Sequence, residues 1–207
     1  MTSPSNSAFY SFGEFDRNVL TEIRRETYGE DIGQFSWITA GELRRFLGEL
    51  ALSADPQVLD VGCGSGGPAL FVAQTLGCNV TGIDINESGI NAAQAAAEAR
   101  RMQDRVHFQR VEAGERLPID DATVDAIISI DAMNHFTNRE EVLGEWRRVL
   151  RPGGRFLFTD ATIITGTLSA MNYLLAAAQW VISSSPRRES MIKSLRRQDL
   201  STCALKT

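Results

Sequence analysis

The stretch Val58-Leu59-Asp60-Val61-Gly62-Cys63-Gly64-Ser65-Gly66-Gly67 constrains this chain more than any other. A short apolar run ending in closely spaced glycines, followed by Pro68 and a second apolar run, predicts a buried strand turning directly into a helix. Pro68 falls where a first-turn proline is tolerated, and the helix runs to about Leu76. Gly62, Gly64 and Gly67 satisfy G-x-G-x-x-G, a turn whose backbone N–H groups approach an anionic ligand at a helix N-terminus. The structural alternative is a tight turn that only packs strand on helix.

The same rhythm continues downstream. Strands are predicted at Asn79 to Ile83, Val106 to Arg110, Val124 to Ile130 and Arg155 to Thr159. Helices are predicted at Ser88 to Arg101 and in a segment opened by a Thr137/Glu140 capping box. Pro152-Gly153-Gly154 stops that last helix. Such β-α-β alternation implies an α/β, doubly wound and mostly parallel sheet with helices on both faces. Three regions are expected: an N-terminal helical lid over residues 1–50, a core domain over 51–165, and a C-terminal helix with a polar tail over 166–207. Thr39 and Glu42 form a capping box for a helix with Leu43, Phe46, Leu47 and Leu50 on one face. Met1 to Ser7 read as a loose tail.

Composition excludes some partners. A net charge of -5 over 207 residues argues against nucleic acid, because phosphate binding needs a basic face. No secretory signal or bilayer-length apolar run is visible, so no membrane partner is expected. Cys63, Cys78 and Cys203 show no metal-ligand spacing, which predicts no metal site and reduced thiols in a cytoplasmic protein.

Two acidic residues separate the possible ligands. Asp60 precedes the first glycine by two residues, where it would repel a pyrophosphate and suit an ammonium group. Asp84 ends the second strand at the spacing that sets a carboxylate against ribose hydroxyls; the alternative is a helix N-cap. Here the run around Asp60 resembles motif I of class I S-adenosylmethionine (SAM)-dependent methyltransferases. The resemblance implies a Rossmann-like fold with SAM as cofactor. It places Asp60, Gly62 and Gly64 around its methionine end, Asp84 on its ribose and Ile85 on its adenine face, with Cys63 and Gly66 also in the cofactor site. The segment Glu112 to Pro118 resembles the family's adenine-contacting stretch, with either Glu112 or Ala113 at the position of the contact. Arg148 to Arg155 resembles the family's turn before the fifth strand.

Ser129, Asp131, Met133, Asn134 and His135 fall at the carboxyl end of the fourth strand, where ligands of open α/β sheets bind. Ser129 is a candidate for the cofactor site. His135 is a candidate general base, its alternative being a histidine bonded near the cap of the following helix. Tyr28 to Trp37 resembles a lid in bacterial small-molecule methyltransferases similar to the sarcosine and phosphoethanolamine enzymes. That likeness makes Tyr28, Gln34 and Trp37 candidates to touch cofactor or substrate, with core packing the alternative for Trp37, Tyr10 and Phe12.

The expected function is methyl transfer from SAM to a small-molecule acceptor. The rivals are a SAM-binding domain without turnover and a nicotinamide oxidoreductase. The resemblance covers about residues 28 to 160. Beyond it only a helix-like stretch, Leu168 to Ile182, and a Ser/Arg-rich tail are expected. The sheet would then lack the family's usual last two strands through a shortened or altered C-terminus. The fifth strand would be left as an open edge inviting a homo-oligomer.

Overall fold

The computed structural model describes residues 17–159 and 180–183. Five parallel strands form its centre: β1 (Gln57–Val61), β2 (Asn79–Asp84), β3 (Val106–Arg110), β4 (Val124–Ile130) and β5 (Leu150–Thr159). A further strand, β6 (Trp180–Ser183), pairs antiparallel with β5, and the sheet order is β3-β2-β1-β4-β5-β6. The helices are α1 (Arg17–Tyr28), α2 (Ala40–Leu50), α3 (Gly67–Leu76), α4 (Glu87–Ala99) and α5 (Arg139–Val149).

Strand parity sorts the core into two layers. Val58, Val80, Val106 and Ile128 pack with Leu43, Phe46, Leu70 and Ile90 from α2, α3 and α4. Leu59, Val61, Ile83 and Ile127 face the other way, onto Val142, Trp146 and Val149 of α5. β1 carries side chains into both layers, which explains an unbroken apolar run in place of alternation. Among the described residues no helix is long and apolar enough to cross a membrane.

The Thr39/Glu42 capping box is present: Glu42 N–H donates to Thr39 Oγ1 at 3.1 Å and Thr39 N–H to Glu42 Oε2 at 3.0 Å. Ala40, Leu43, Phe46, Leu47 and Leu50 of this helix, α2, belong to the core layer, as do Ile32 and Ile38 before it. The second expected box is corrected. α5 starts at Arg139 with Asn138 as its N-cap and no side-chain cap bond, so Thr137 lies outside the helix. A Cβ placed on Gly114 would overlap the Asn138 side chain, so that side chain lies against Gly114.

The C-terminal expectations are corrected too. β5 is not an open edge, because Arg155 to Phe158 pair with residues 180–183. Trp180 to Ile182, expected as the end of a helix, are strand; the rest of that expected helix, the Ser/Arg tail, Met1 to Ser7, Tyr10, Phe12 and Cys203 lie outside the described residues.

Candidate ligand site at the carboxyl ends of the strands

Strand order reverses between β1 and β4, which opens a crevice beyond their carboxyl ends. Gly62 and Cys63 leave β1 by donating their N–H groups to Ile83 O at 2.8 and 3.1 Å. Gly62 adopts φ +77°, and a Cβ there would lie 2.5 Å from Ala132 Cβ. Only glycine lets this turn lie so close to the loop after β4. The crevice encloses a cavity of about 410 Å³.

Asp60 lies beneath the turn, 1% exposed, and its Oδ2 has no hydrogen-bond partner. Burial, aided by the Asp84 charge, pushes its carboxyl up to about 8. Such a group is high in energy when ionised unless a cation meets it. Asp84 has a different environment: Oδ2 accepts from Gly64 N–H and Oδ1 from Asn86 N–H, each at 2.8 Å. It therefore ties the glycine turn to the start of α4, whose N-cap is Asn86 and not Asp84. Burial first, and the charges of Asp60 and Asp84 second, push the Cys63 thiol up, so it remains a thiol.

Asp60, Gly62, Cys63, Gly64, Asp84, Ile85, Glu112, Ala113 and His135 all line the cavity. Ile85 is 56% exposed, an apolar face turned to the opening. Ala113 is buried and Glu112 exposed. His135 closes a 3-10 turn, Met133–His135, and its N–H donates to Ala132 O at 3.0 Å.

Two expected residues are placed elsewhere. Gly66 is the N-cap of α3, and a Cβ there would lie 2.6 Å from the Phe108 ring and 2.8 Å from Ala93 Cβ; it serves helix-to-sheet packing. Ser129 is fully buried and donates its hydroxyl to Val61 O at 2.8 Å, a strut between β4 and β1.

The segment before α2 reaches the cavity through residues other than those expected. Ile32 and Ile38 are buried anchors. Gln34, 2% exposed, stitches the loop to itself: Oε1 accepts from Ile32 N–H at 3.1 Å and Nε2 donates to Ile38 O at 3.3 Å. Neither Gln34, Tyr28 nor Trp37 lines the cavity, and Trp37 is 76% exposed, so it is no core residue either. Gly33, Phe35 and Ser36 do line it. The sequence gives Asp131 only its place after β4; in the fold its carboxylate accepts from Trp37 N–H at 2.7 Å and joins the segment to the sheet.

A switch-point crevice with a glycine turn over a buried acid defines a Rossmann-like domain whose ligand site lies at the carboxyl ends of its strands. Comparison with known proteins is specific. Residues 59–158 match the methyltransferase domain family. Over 182 residues the chain is 32% identical to methyltransferase GfsG of Streptomyces halstedii, covering 80% of this chain and 65% of that one. Over 156 residues it is 38% identical to the 27-O-demethylrifamycin SV methyltransferase of Amycolatopsis mediterranei, covering 71% and 57%. The solved structure of the [4+2]-cyclase SpnF is similar at a TM-score of 0.57 and 31% identity, covering 68% of this chain and 53% of that one. The chain spans about three fifths of the length of these two curated relatives. Residues 59–158 thus form a domain similar to those of SAM-dependent methyltransferases.

Proposed function

We propose that this chain binds SAM and transfers its methyl group to an oxygen nucleophile on a bulky, largely apolar small molecule. One observation carries the cofactor reading: the buried Asp60 carboxyl, with an unpartnered oxygen at the wall of the cavity. SAM supplies a methyl already activated by its sulfonium, so the protein contributes mainly orientation and approach.

The residues fit that ligand. Asp60 would accept from the ammonium of the methionine end. The Gly62–Gly64 backbone lies where it can approach the ligand without side chains in the way. Asp84 would meet the ribose hydroxyls and Ile85 the adenine face, with Glu112 and Ala113 at the adenine edge. His135 would take the proton of an acceptor hydroxyl. Phe35, Ile130, Ala132 and Phe136 give the cavity apolar wall, which suits an apolar acceptor, and the rifamycin relative's name states O-methylation. Cys63 and Cys78 are free and buried, which supports a reducing, cytosolic setting.

Calorimetric titration with S-adenosylhomocysteine tests the reading, with NAD as a control. We expect micromolar binding, no NAD binding, and a loss of about tenfold or more in Asp84→Ala, which removes the acceptor shared by the Gly64 and Asn86 amides. NAD binding in place of S-adenosylhomocysteine would refute it. His135→Ala should lower kcat by about 10² or more on a hydroxyl acceptor while leaving S-adenosylhomocysteine affinity unchanged. Unchanged kcat would remove His135 from the proton-transfer role.

A second reading, a SAM-binding domain without methyl turnover, is favoured by the likeness to a protein described as a cyclase. Formation of S-adenosylhomocysteine from SAM with candidate hydroxyl acceptors separates the two.

A further inference from the structure

The strap over residues 33–37 supplies Gly33, Phe35 and Ser36 to the cavity wall, and the loop over 111–121, between β3 and β4, supplies Val111, Glu112, Ala113 and Gly114. That loop is neither helix nor strand, so its shape depends on what its backbone N–H and C=O groups meet. Most of what they meet belongs to α5.

On α5, Arg148 and Glu145 lie one turn apart, their side chains 13% and 16% exposed. Arg148 Nη2 donates to Glu145 Oε2 at 2.6 Å and Nε to Glu145 Oε1 at 2.9 Å. The guanidinium also reaches the loop. Nη2 donates to Leu117 O at 3.1 Å, and Nη1 to Ile119 O and Asp121 Oδ1, each at 2.7 Å. Asp121 is 69% exposed, so the two carbonyls matter more than its ion pair. Glu145 Oε2 accepts from Leu117 N–H at 2.8 Å, and the pair therefore grips both polar groups of one loop residue. A planar fork of donors suits acceptors spread from Leu117 to Ile119; a lysine ammonium is a point charge on a flexible stem and replaces it poorly.

From Leu117 the restraint passes back to the cavity. Only Glu115 and Arg116 separate it from Gly114, which lies against Asn138 at the start of α5. Upstream, Val111 N–H donates to Asp84 O at 3.0 Å. The cavity-lining residues 111–114 are thus held between the end of β2 and the Arg148–Glu145 pair. Neither Arg148 nor Glu145 lines the cavity, so any effect of theirs on a ligand travels through the loop.

We propose that Arg148, paired with Glu145, is a positioning residue for the cofactor's base: it fixes the loop over 111–121 and so sets how strictly the cavity selects adenine from other purines. The inference rests on the cofactor reading above, which puts Glu112 and Ala113 at the adenine edge. Groups that read a base edge must stand within about half an ångström of their places. A loop released from α5 holds them less narrowly, which weakens selectivity as well as stability.

The test is calorimetry on the full chain with S-adenosylhomocysteine and with S-inosylhomocysteine, whose base carries a carbonyl in place of the adenine amino group. Wild type should prefer the adenine ligand by about tenfold or more, as expected where a mismatched base leaves hydrogen-bonding groups unpaired. Arg148→Lys should reduce that preference severalfold and speed hydrogen exchange across residues 112–119. Glu145→Gln, which keeps an acceptor for Leu117 N–H and loses the charge, should reduce it less. Arg151→Ala breaks another ion pair, with Asp125 at 2.7 Å, and should leave the preference unchanged whatever it does to stability. An undiminished preference in folded Arg148→Lys and Glu145→Gln, an equal reduction in Arg151→Ala, or a wild type that binds both ligands alike overturns the proposal while leaving the cofactor reading standing. A folded wild-type chain that binds neither ligand overturns both.

Discussion

Binding of S-adenosylhomocysteine should tighten as pH rises from 6 to about 8 and then level off, and Asp60→Asn should remove both the trend and most of the affinity. Burial raises the Asp60 carboxyl to about 8 in the ligand-free protein, with the Asp84 charge adding to it, so the group is mainly protonated at neutral pH. An entering ammonium favours the carboxylate, and the proton is released on binding. Below pH 8 each further unit therefore weakens binding, by up to about tenfold in the fully coupled limit. The neutral amide of the Asp60→Asn variant pairs poorly with an ammonium, a loss of about tenfold to a hundredfold at high pH. Glu112, Asp84, Asp131, Arg110, Cys63 and His135 face the same cavity, so the pH series is repeated in His135→Ala as a control. Calorimetry in two buffers of different ionisation enthalpy counts the protons released. A flat affinity between pH 6 and 8 would refute the assignment.

The stability of the ligand-free protein should move the opposite way. The folded-state value lies above the ordinary 3.8, so between about 4 and 8 the folded chain holds a proton that the unfolded chain has lost. Folded stability therefore falls as pH rises through that window. Asp60→Asn should melt higher than wild type at pH 8 without ligand, and gain less from ligand. A stabilised apo protein that binds worse is the signature of a group retained for binding.

The second large effect concerns Gly67. Replacing a helical glycine by alanine usually stabilises by up to about 1 kcal/mol. At Gly67 the sign should reverse. A Cβ there would overlap Gly33 C and O and lie 2.6 Å from Ile32 O. These are backbone atoms of an anchored segment, so the strap must lift away from α3. We expect Gly67→Ala to cost about 1–3 kcal/mol, the range for overpacking, and to expose residues 29–39 to protease. Gly48→Ala is the contrast: Gly48 is exposed in α2, and a Cβ there meets nothing within 4 Å. It should stabilise. Denaturant midpoints of the two variants decide the matter, and equal midpoints would show that the strap is not packed on α3.

Much of the fold was legible because its signals are local. Strand ends at Asn79, Val106, Val124, Ile130 and Thr159 match the expected ones, and the Thr39/Glu42 box forms as read. Glycines, apolar periodicity and caps act within one turn or one strand, so neighbours in sequence suffice to reveal them. Asp60 and Asp84 were legible for a related reason: parallel topology brings strand carboxyl ends together whatever lies between.

Tertiary structure decided what local signals leave degenerate. Ser129 and Asp131 are two residues apart, yet one is a strut inside the sheet and the other joins the strap to the cavity, according to where β4 ends. Thr137 and Asn138 each precede a glutamate by three residues, and in the fold Asn138 is the N-cap of α5, its side chain lying against Gly114. Trp37 contributes its backbone and not its ring, while the neighbouring Ser36 faces inward, because buried Ile32, Gln34 and Ile38 set the path of the strap. Residues 180–183 are strand because β5 offers them an edge to pair with. By itself the sequence determined the α/β layering, the glycine turn and the paired acids. Which side chains close the cavity was left to contacts between residues about a hundred positions apart, whose free energy no local pattern encodes.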